Sequence, residues 1–337
     1  MDGMSSATVD RLLALLIAGL VATGLVSLWQ GSPGGAWVFV LHAWLAGLLA
    51  IAVVLKLRAS VPRAIRARRW GALALAAVLT LGVVAALVGG YLWAVDGRVV
   101  WVDVAGLIRW SVLTIHAWIG LVVLPVVLLH LLPRRWRLLR PGPNALPRSA
   151  SRMLSRRSFA VGVALGVGGA ALGSAALVAD RFGGGARRFT GSRFLAPGEL
   201  PPATTFLGEP TPSVDLDAWR LSVGSTSFSL ADLHAMSEQE LTATLDCTSG
   251  WAFEGTWQGV RLGAVLEAVG AAGDRVEVRS VTGWSTSLPL AEARACLLAW
   301  SLEGQPIPVD NGAPLRLVAP DHRGVEWVKW ISSIRVS

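Results

Sequence analysis

Cysteine is nearly absent: the 337 residues hold two, Cys247 and Cys296. Two thiols exclude a disulfide scaffold and any zinc or iron–sulfur site built from four thiolates. Histidine is almost as scarce, with five residues, His42, His116, His130, His234 and His322. Acidic residues are thin in one half only. Residues 1–185 carry 5 Asp/Glu against 18 Lys/Arg, and residues 186–337 carry 17 against 12. The basic residues of the first half flank apolar runs, and no basic patch with interleaved aromatics occurs. Nucleic acid is therefore not an expected partner, despite the net charge of +8.

What the chain has in excess is apolar residues, 53% of the total against about 45–50% in soluble domains. They concentrate in runs at roughly 11–30, 36–56, 72–95, 110–132 and 159–179, each near the ~20 residues a membrane crossing needs. The connection at 56–70 is strongly basic and that at 133–158 holds eight arginines, whereas 31–35 has no basic residue and 96–109 has two. Cytoplasmic loops hold the excess of Lys/Arg. This predicts a multi-pass cell-membrane protein in contact with lipid, its N-terminus cytoplasmic and its C-terminal half periplasmic.

The fifth run differs from the others, because twelve of the 21 residues from Phe159 to Ala179 are Gly or Ala. Ser155-Arg156-Arg157-Ser158-Phe159 stands directly before it and resembles a twin-arginine export signal. Such a signal implies the twin-arginine export machinery as a partner and a domain that crosses the membrane already folded. The competing reading is a pair of arginines capping a cytoplasmic helix end.

His42-Ala43-Trp44-Leu45-Ala46-Gly47 recurs, 74 residues on, as His116-Ala117-Trp118-Ile119-Gly120. Both histidines sit near the start of helices running the same way, so they lie at equal depth. Ionisable residues inside a membrane mark function by default, and two facing imidazoles suit both faces of a haem iron. Ala43, Gly47, Ala117 and Gly120 are small enough to admit a flat macrocycle. About 100 residues resemble the four-helix b-type cytochromes of electron-transport membranes, which implies haem b and exchange with the quinone pool or another electron carrier. Such cytochromes often hold a second haem deeper in the membrane. Here His130 is suitably placed, but its repeat equivalent is Lys56, so one haem on the outer side is expected.

The second half changes to short β-type runs (Trp219–Val223, Leu241–Leu245, Val276–Ser280, Leu315–Val318), with helical stretches near 229–236, 261–270 and 291–298. This is an α+β domain large enough for its own core. It carries five motifs in order: Leu245-Asp246-Cys247-Thr248-Ser249-Gly250-Trp251, Trp257-Gln258-Gly259-Val260-Arg261-Leu262, Gly283-Trp284-Ser285-Thr286-Ser287-Leu288-Pro289-Leu290, Gly312-Ala313-Pro314-Leu315-Arg316-Leu317-Val318 and Gly324-Val325-Glu326-Trp327-Val328-Lys329-Trp330. Together they resemble the molybdopterin-binding domain of the sulfite oxidase superfamily, which includes periplasmic methionine sulfoxide reductase.

The resemblance implies that Cys247 is the catalytic thiolate on molybdenum. It also implies that His322, Arg323 and Lys329 hold the phosphate of the molybdopterin. Thr248 and Ser249 would turn backbone N–H groups toward the metal. Arg188, with Thr190-Gly191-Ser192, would touch the cofactor, and Ser285 and Thr286 would line the site. Cys296, inside Ala293–Leu298, reads as helix packing.

The expected architecture is an α-helical transmembrane bundle of four helices with haem b (1–140), then a linker, twin-arginine motif and fifth anchor helix (141–185). A sulfite-oxidase-type α+β molybdopterin domain follows (186–337). The expected activity is that of a molybdenum oxidoreductase acting on a small-molecule substrate. The arginine cluster of sulfite oxidisers cannot be placed in the sequence, and the chain stops at Ser337 soon after the last motif. Reduction of an S-oxide is therefore favoured over a sulfite-type dehydrogenase. A rival of another class is a non-enzymatic electron carrier with a metal-free domain.

Overall fold

The computed structural model describes residues 6–96, 98–104, 108–131, 156–183, 186–204 and 210–337. The connection at 132–155 and the side chains of His130, Arg156 and Arg157 lie outside the described residues. The chain forms two compact units, one of residues 1–27 and 34–185, the other of residues 28–33 and 186–337.

The first unit consists of α1 (Ser6–Val26), α2 (Ala36–Arg66), α3 (Trp70–Val95), a hairpin of β1 (Trp101–Val104) and β2 (Ile108–Ser111), α4 (Val112–Leu131) and α5 (Arg156–Gly183). By length and composition, four stretches among the described residues could cross a membrane: Val9–Trp29, Pro33–Arg66, Leu73–Val95 and Phe159–Ala179. Within α4, Val112–Val127 is a shorter apolar helix. The hairpin is a departure from the sequence reading, which took 96–109 as a plain connection and began the fourth helix at 110. Trp110 and Ser111 instead pair with Val102 and Trp101, and the helix starts after them.

Backbone contact explains the composition of α5. A Cβ on Gly47 of α2 would stand 2.2 Å from the Gly169 carbonyl oxygen, and one on Gly173 would stand 2.3 Å from that of Ala43. Ala43 and Gly47, four apart, thus meet Gly169 and Gly173, also four apart, which is the small-xxx-small way of bringing two helices close. Trp44 Nε1 donates to Ser174 Oγ across the same seam at 2.9 Å. The expectation that Ala43 and Gly47 make room for a macrocycle is corrected: they make room for α5. Gly120 faces open space. Leu16, Leu49, Ala52 and Val83 form the buried apolar cluster of this unit. Lys56 of α2 is ion-paired with Asp10 of α1.

The second unit holds β3 (Arg193–Phe194), β4 (Leu221–Val223), β5 (Thr226–Phe228), α6 (Leu230–His234), β6 (Glu238–Asp246), β7 (Trp251–Arg261), α7 (Leu262–Ala268), β8 (Arg275–Ser280) and β9 (Ser285–Pro289). It continues with α8 (Leu290–Ala295), β10 (Leu297–Leu302), β11 (Gln305–Pro306), β12 (Arg316–Val318) and β13 (Ile331–Val336). One sheet runs β11-β10-β7-β3, with β12 on β10 and β6 on β7; the other runs β5-β4-β13-β8-β9. Only the β3–β7 and β4–β13 pairs are parallel. Val260, Leu262, Val276, Val278, Leu297, Leu298, Leu315, Ile331 and Ile334 are fully buried.

β7 and β10 cross so closely that a Cβ on Gly259 would lie 2.0 Å from the Leu298 carbonyl oxygen. The helix expected to reach Leu298 stops at Ala295, because Leu297 and Leu298 pair with Arg261 and Val260 of β7. Cys296 therefore sits at the helix end, 2% exposed, where burial pushes its thiol up to about 12.

Candidate functional site

β6 and β7 form the longest antiparallel pair of the second unit, in register from Glu238↔Val260 to Asp246↔Ala252. Their connection is the turn at 247–250, closed by Gly250 N–H to the Cys247 carbonyl at 3.0 Å. Gly250 adopts φ +91° there, a conformation open to glycine. The hairpin thus presents Cys247 at its tip, half-buried. Its sulfur accepts the Ser249 N–H at 3.4 Å and stands 3.6 Å from Thr204 Oγ1. Lys329 Nζ donates to the Thr204 carbonyl at 2.9 Å and to that of Asp310 at 2.6 Å, so it fixes the strand of chain beside the thiol.

Behind the thiol lies a charged cluster. Asp246 is fully buried and accepts from Arg323 Nη1 at 3.0 Å and from Thr190 Oγ1 at 2.8 Å. Arg188 Nε is ion-paired at 3.0 Å with Oδ2, the oxygen that accepts from Thr190. Arg323 Nη2 reaches the Cys247 carbonyl at 3.3 Å, and a Cβ on Gly324 would lie 3.2 Å from the Cys247 Cα. The 323–326 turn is therefore packed on the backbone of the thiol-bearing turn. Burial pulls Arg323 below the ordinary guanidinium value, with Asp246 and Cys247 opposing.

Arg316 of β12 is 3% exposed, between the rings of Trp257 and Trp327 at 5.6 and 6.0 Å. Its Nη1 donates to the Asn311 carbonyl at 2.7 Å, but its Nε has no partner. Burial pulls it down to about 10, and the nearby Cys247 works against that. Among the described residues the fully buried charged side chains are Arg193, Arg316, Arg323 and Asp246. Three cations against one anion, with the Nε of Arg316 and of Arg323 both unpartnered, form a surround that suits a buried anionic group.

Of the residues singled out by sequence, the fold gathers Cys247, Ser249, Arg188 and Arg323 at one place, with Lys329 joined through Thr204. Thr248 stands in the turn itself. Arg188 through Nε and Arg323 through Nη1 hold Asp246, so part of each guanidinium is already engaged. His322 is likewise engaged: Nδ1 faces Glu326 at 3.1 Å and Nε2 faces Glu292 at 3.2 Å. The Glu326 hydrogen bond, helped by the charge of Glu292, raises its pKa against the opposing effect of burial. Ser285 and Thr286 stand on β9, paired in register with Arg279 and Val278 of β8. Arg316 and Asp246 were missed as site residues. The available signal for Arg316 was a lone arginine inside an apolar strand.

In the helical unit the ring centroids of His42 and His116 are 6.1 Å apart, with an interplanar angle of 79°. His42 Nδ1 meets Thr23 Oγ1 of α1 at 2.8 Å, and His116 Nδ1 meets the Ala86 carbonyl of α3 at 2.7 Å. Gly90 lies against the His116 ring, where a Cβ would come within 3.2 Å of Cε1. Lys56, the repeat counterpart of His130, is held by Asp10.

Residues 208–337 match the profile of the oxidoreductase molybdopterin binding domain. The mitochondrial sulfite oxidase of Macaca fascicularis is 31% identical over 166 residues, covering 38% of this chain and 30% of that protein. The protein-methionine-sulfoxide reductase catalytic subunit MsrP of Xanthomonas axonopodis pv. citri is 32% identical over 148 residues, with 36% of this chain and 46% of that one covered. An uncharacterized oxidoreductase of Bacillus subtilis, YuiH, is 30% identical over 131 residues, 36% of this chain and 66% of its own length. The chain thus spans less than half the length of the first two relatives. The profile match lies wholly within the second unit, which is an oxidoreductase domain of the molybdopterin-binding kind.

Proposed function

We propose that the chain is a membrane-bound molybdenum-cofactor oxidoreductase. In this reading it passes electrons between a b-type haem held by its helices and a small substrate at Cys247, on the extracytoplasmic side. The observation that carries the reading is the half-buried thiol set among buried guanidiniums, with the Nε of Arg316 and of Arg323 lacking an acceptor. A soft thiolate suits a metal of this kind, and a molybdopterin is anionic. Cys247 would be the protein ligand, its sulfur held by the Ser249 N–H and its carbonyl by Arg323. Arg316 would face the cofactor's negative charge, with Lys329 fixing the chain beside it. Bound there, the cofactor supplies two-electron exchange with transfer of an oxygen atom, chemistry that the protein's own side chains lack.

The histidine pair fits haem on a separate count. With metal–imidazole bonds of about 2 Å and ring radii of about 1.1 Å, two imidazoles opposed across one metal stand roughly 6 Å apart by centroid. The 6.1 Å separation of the two rings supports this reading. The interplanar angle does not interfere, because each ring plane can contain the metal–nitrogen axis at any rotation about it. Haem iron there would supply one-electron transfer, and the quinone pool or another carrier would be its partner. The apolar helices and basic connections support a cytoplasmic N-terminus and a periplasmic second unit.

Among substrates, an S-oxide is favoured over sulfite. Arg188 and Arg323 are neutralised in part by Asp246, which weakens the positive field that a sulfite anion would meet, and the cofactor is itself an anion. A sulfite-type dehydrogenase is the second reading, favoured by the sulfite oxidase relatives.

The test is metal and haem analysis of the full chain purified in detergent, with turnover of sulfoxides measured in membranes. Cys247→Ser is expected to abolish turnover and strip molybdenum while leaving the haem spectrum intact. His42→Ala or His116→Ala should remove the b-type absorption, and His130→Ala should leave most of it. A wild-type protein without molybdenum, or a Ser variant active to within a few-fold, would sink the assignment and favour a metal-free module.

A further inference from the structure

We infer that Thr23 is a positioning residue for the haem, fixing the proton of His42 on Nδ1 and setting the electron density of that axial ligand. This rests on the haem reading above. The case starts from counting hydrogens. A threonine hydroxyl has one proton and two lone pairs. Thr23 Oγ1 lies 2.8 Å from the Gly19 carbonyl and 3.1 Å from that of Leu20. Carbonyls only accept, so the hydroxyl proton goes to them, the usual back-bond of a helical threonine. The oxygen then offers a lone pair to His42 Nδ1 at 2.8 Å, and in this assignment that ring nitrogen is the donor.

On His116 the same tautomer follows more simply, since the partner of Nδ1 is the Ala86 carbonyl oxygen. Both rings thus keep Nε2 as a bare lone pair, the form a metal needs, and Nε2 of neither has a hydrogen bond among the described residues. The two supports differ in kind. That of His116 is main chain, which substitution cannot remove. That of His42 is a side chain on a different helix, so the sequence can tune this ligand and not the other.

A hydroxyl whose proton is already given to a carbonyl is a strengthened acceptor. An acceptor on the far nitrogen makes an imidazole more basic toward its metal, which favours ferric over ferrous iron. Loss of the hydroxyl should therefore raise the midpoint potential without removing the haem, because Nε2 still ligates.

The test is a redox titration and low-spin EPR spectrum of the haem in the full chain, in membranes, for wild type, Thr23→Val, Thr23→Ser and Thr23→Cys. Thr23→Val is expected to keep the wild-type haem-to-protein ratio and to weaken ferric relative to ferrous ligation by roughly tenfold. For a one-electron couple that is an upward shift of about 59 mV. Thr23→Ser should return the wild-type potential. Thr23→Cys, with its weak acceptor, should shift the same way by less, and serves if the valine variant does not assemble. Haem present with unchanged potential and EPR in Thr23→Val, or a Ser variant that behaves like Val, overturns the role of Thr23 alone. Absence of haem from the wild type overturns the haem reading as well, and the two failures are thereby separate.

Discussion

The buried carboxylate behind the thiol offers the sharpest stability test in the second unit. In Asp246→Asn the shape is kept and the charge is lost. Asp246 receives donors on both oxygens, Arg323 on one and Thr190 with Arg188 on the other. An amide has one acceptor oxygen and one NH2, so whichever way it turns, its nitrogen must face donors. The side chains of Asp246 and Arg323 are 0% and 4% exposed and that of Arg188 is 17% exposed, so water cannot replace what is lost. Removing one partner from a buried ion pair costs about 3–5 kcal/mol, since it strands the other charge. At roughly 2–4 °C per kcal/mol for a domain of this size, the unfolding transition of the second unit should fall by ~6–20 °C in calorimetry of the solubilised chain. Thr190→Val, which removes one neutral donor, should cost only about 1 kcal/mol. A loss under about 1 kcal/mol in Asp246→Asn would refute the reasoning, and would mean that the two guanidiniums have another counter-charge.

Two more outcomes follow from other parts of the chain. His322 has its pKa raised above the ordinary 6.5, so the folded state binds that proton more tightly than the unfolded chain does. Its contribution is full below the unfolded value and fades as pH rises through the raised folded value. The melting temperature of wild type minus that of His322→Asn should accordingly shrink on going from about pH 5 to about pH 9, and a flat difference would show that the carboxylates of Glu292 and Glu326 do not hold a charged ring. In the export reading, Arg156→Lys with Arg157→Lys preserves charge but removes the guanidinium pair that a receptor reads. Protease outside spheroplasts should cut the wild-type second unit or the linker near 183–185 and spare the variant. Equal cutting would leave the arginines as a helix cap.

The long helices were legible because a run of ~20 apolar residues has few other uses. What small residues among them do was not. Ala43, Gly47, Gly169 and Gly173 were visible as small residues at four-residue spacing, but small residues serve a macrocycle, a neighbouring helix or a weak export segment equally well. Only the packing of Gly47 on Gly169, where an added Cβ would stand 2.2 Å from the Gly169 carbonyl oxygen, selects the helix. It also gives the Gly/Ala content of α5 a cause independent of export, so the twin-arginine proposal stands on the arginines alone. The hairpin at 101–111 was lost because two strands of four residues leave too short an alternation to separate from a loop.

Cys247 could be singled out from sequence because a metal ligand must be one of few residue types, and the structure places it in the turn between β6 and β7. The groups around it could not, since the identity of a partner depends on distance across the fold. His322 illustrates the difference. A histidine beside an arginine in a loop reads as an anion binder. Yet Glu326 lies four residues on and Glu292 thirty residues back, on another helix, and together they claim both ring nitrogens. Arg316 is the reverse case: in an apolar strand it reads as an edge position, and only its full burial with Nε unpartnered turns it into a reporter of something anionic. Thr23 carries the point furthest. Nothing in its own sequence surroundings distinguishes it from any threonine back-bonded in an apolar helix. Its meaning comes from His42, nineteen residues away, and from the single proton it has already given to its own helix.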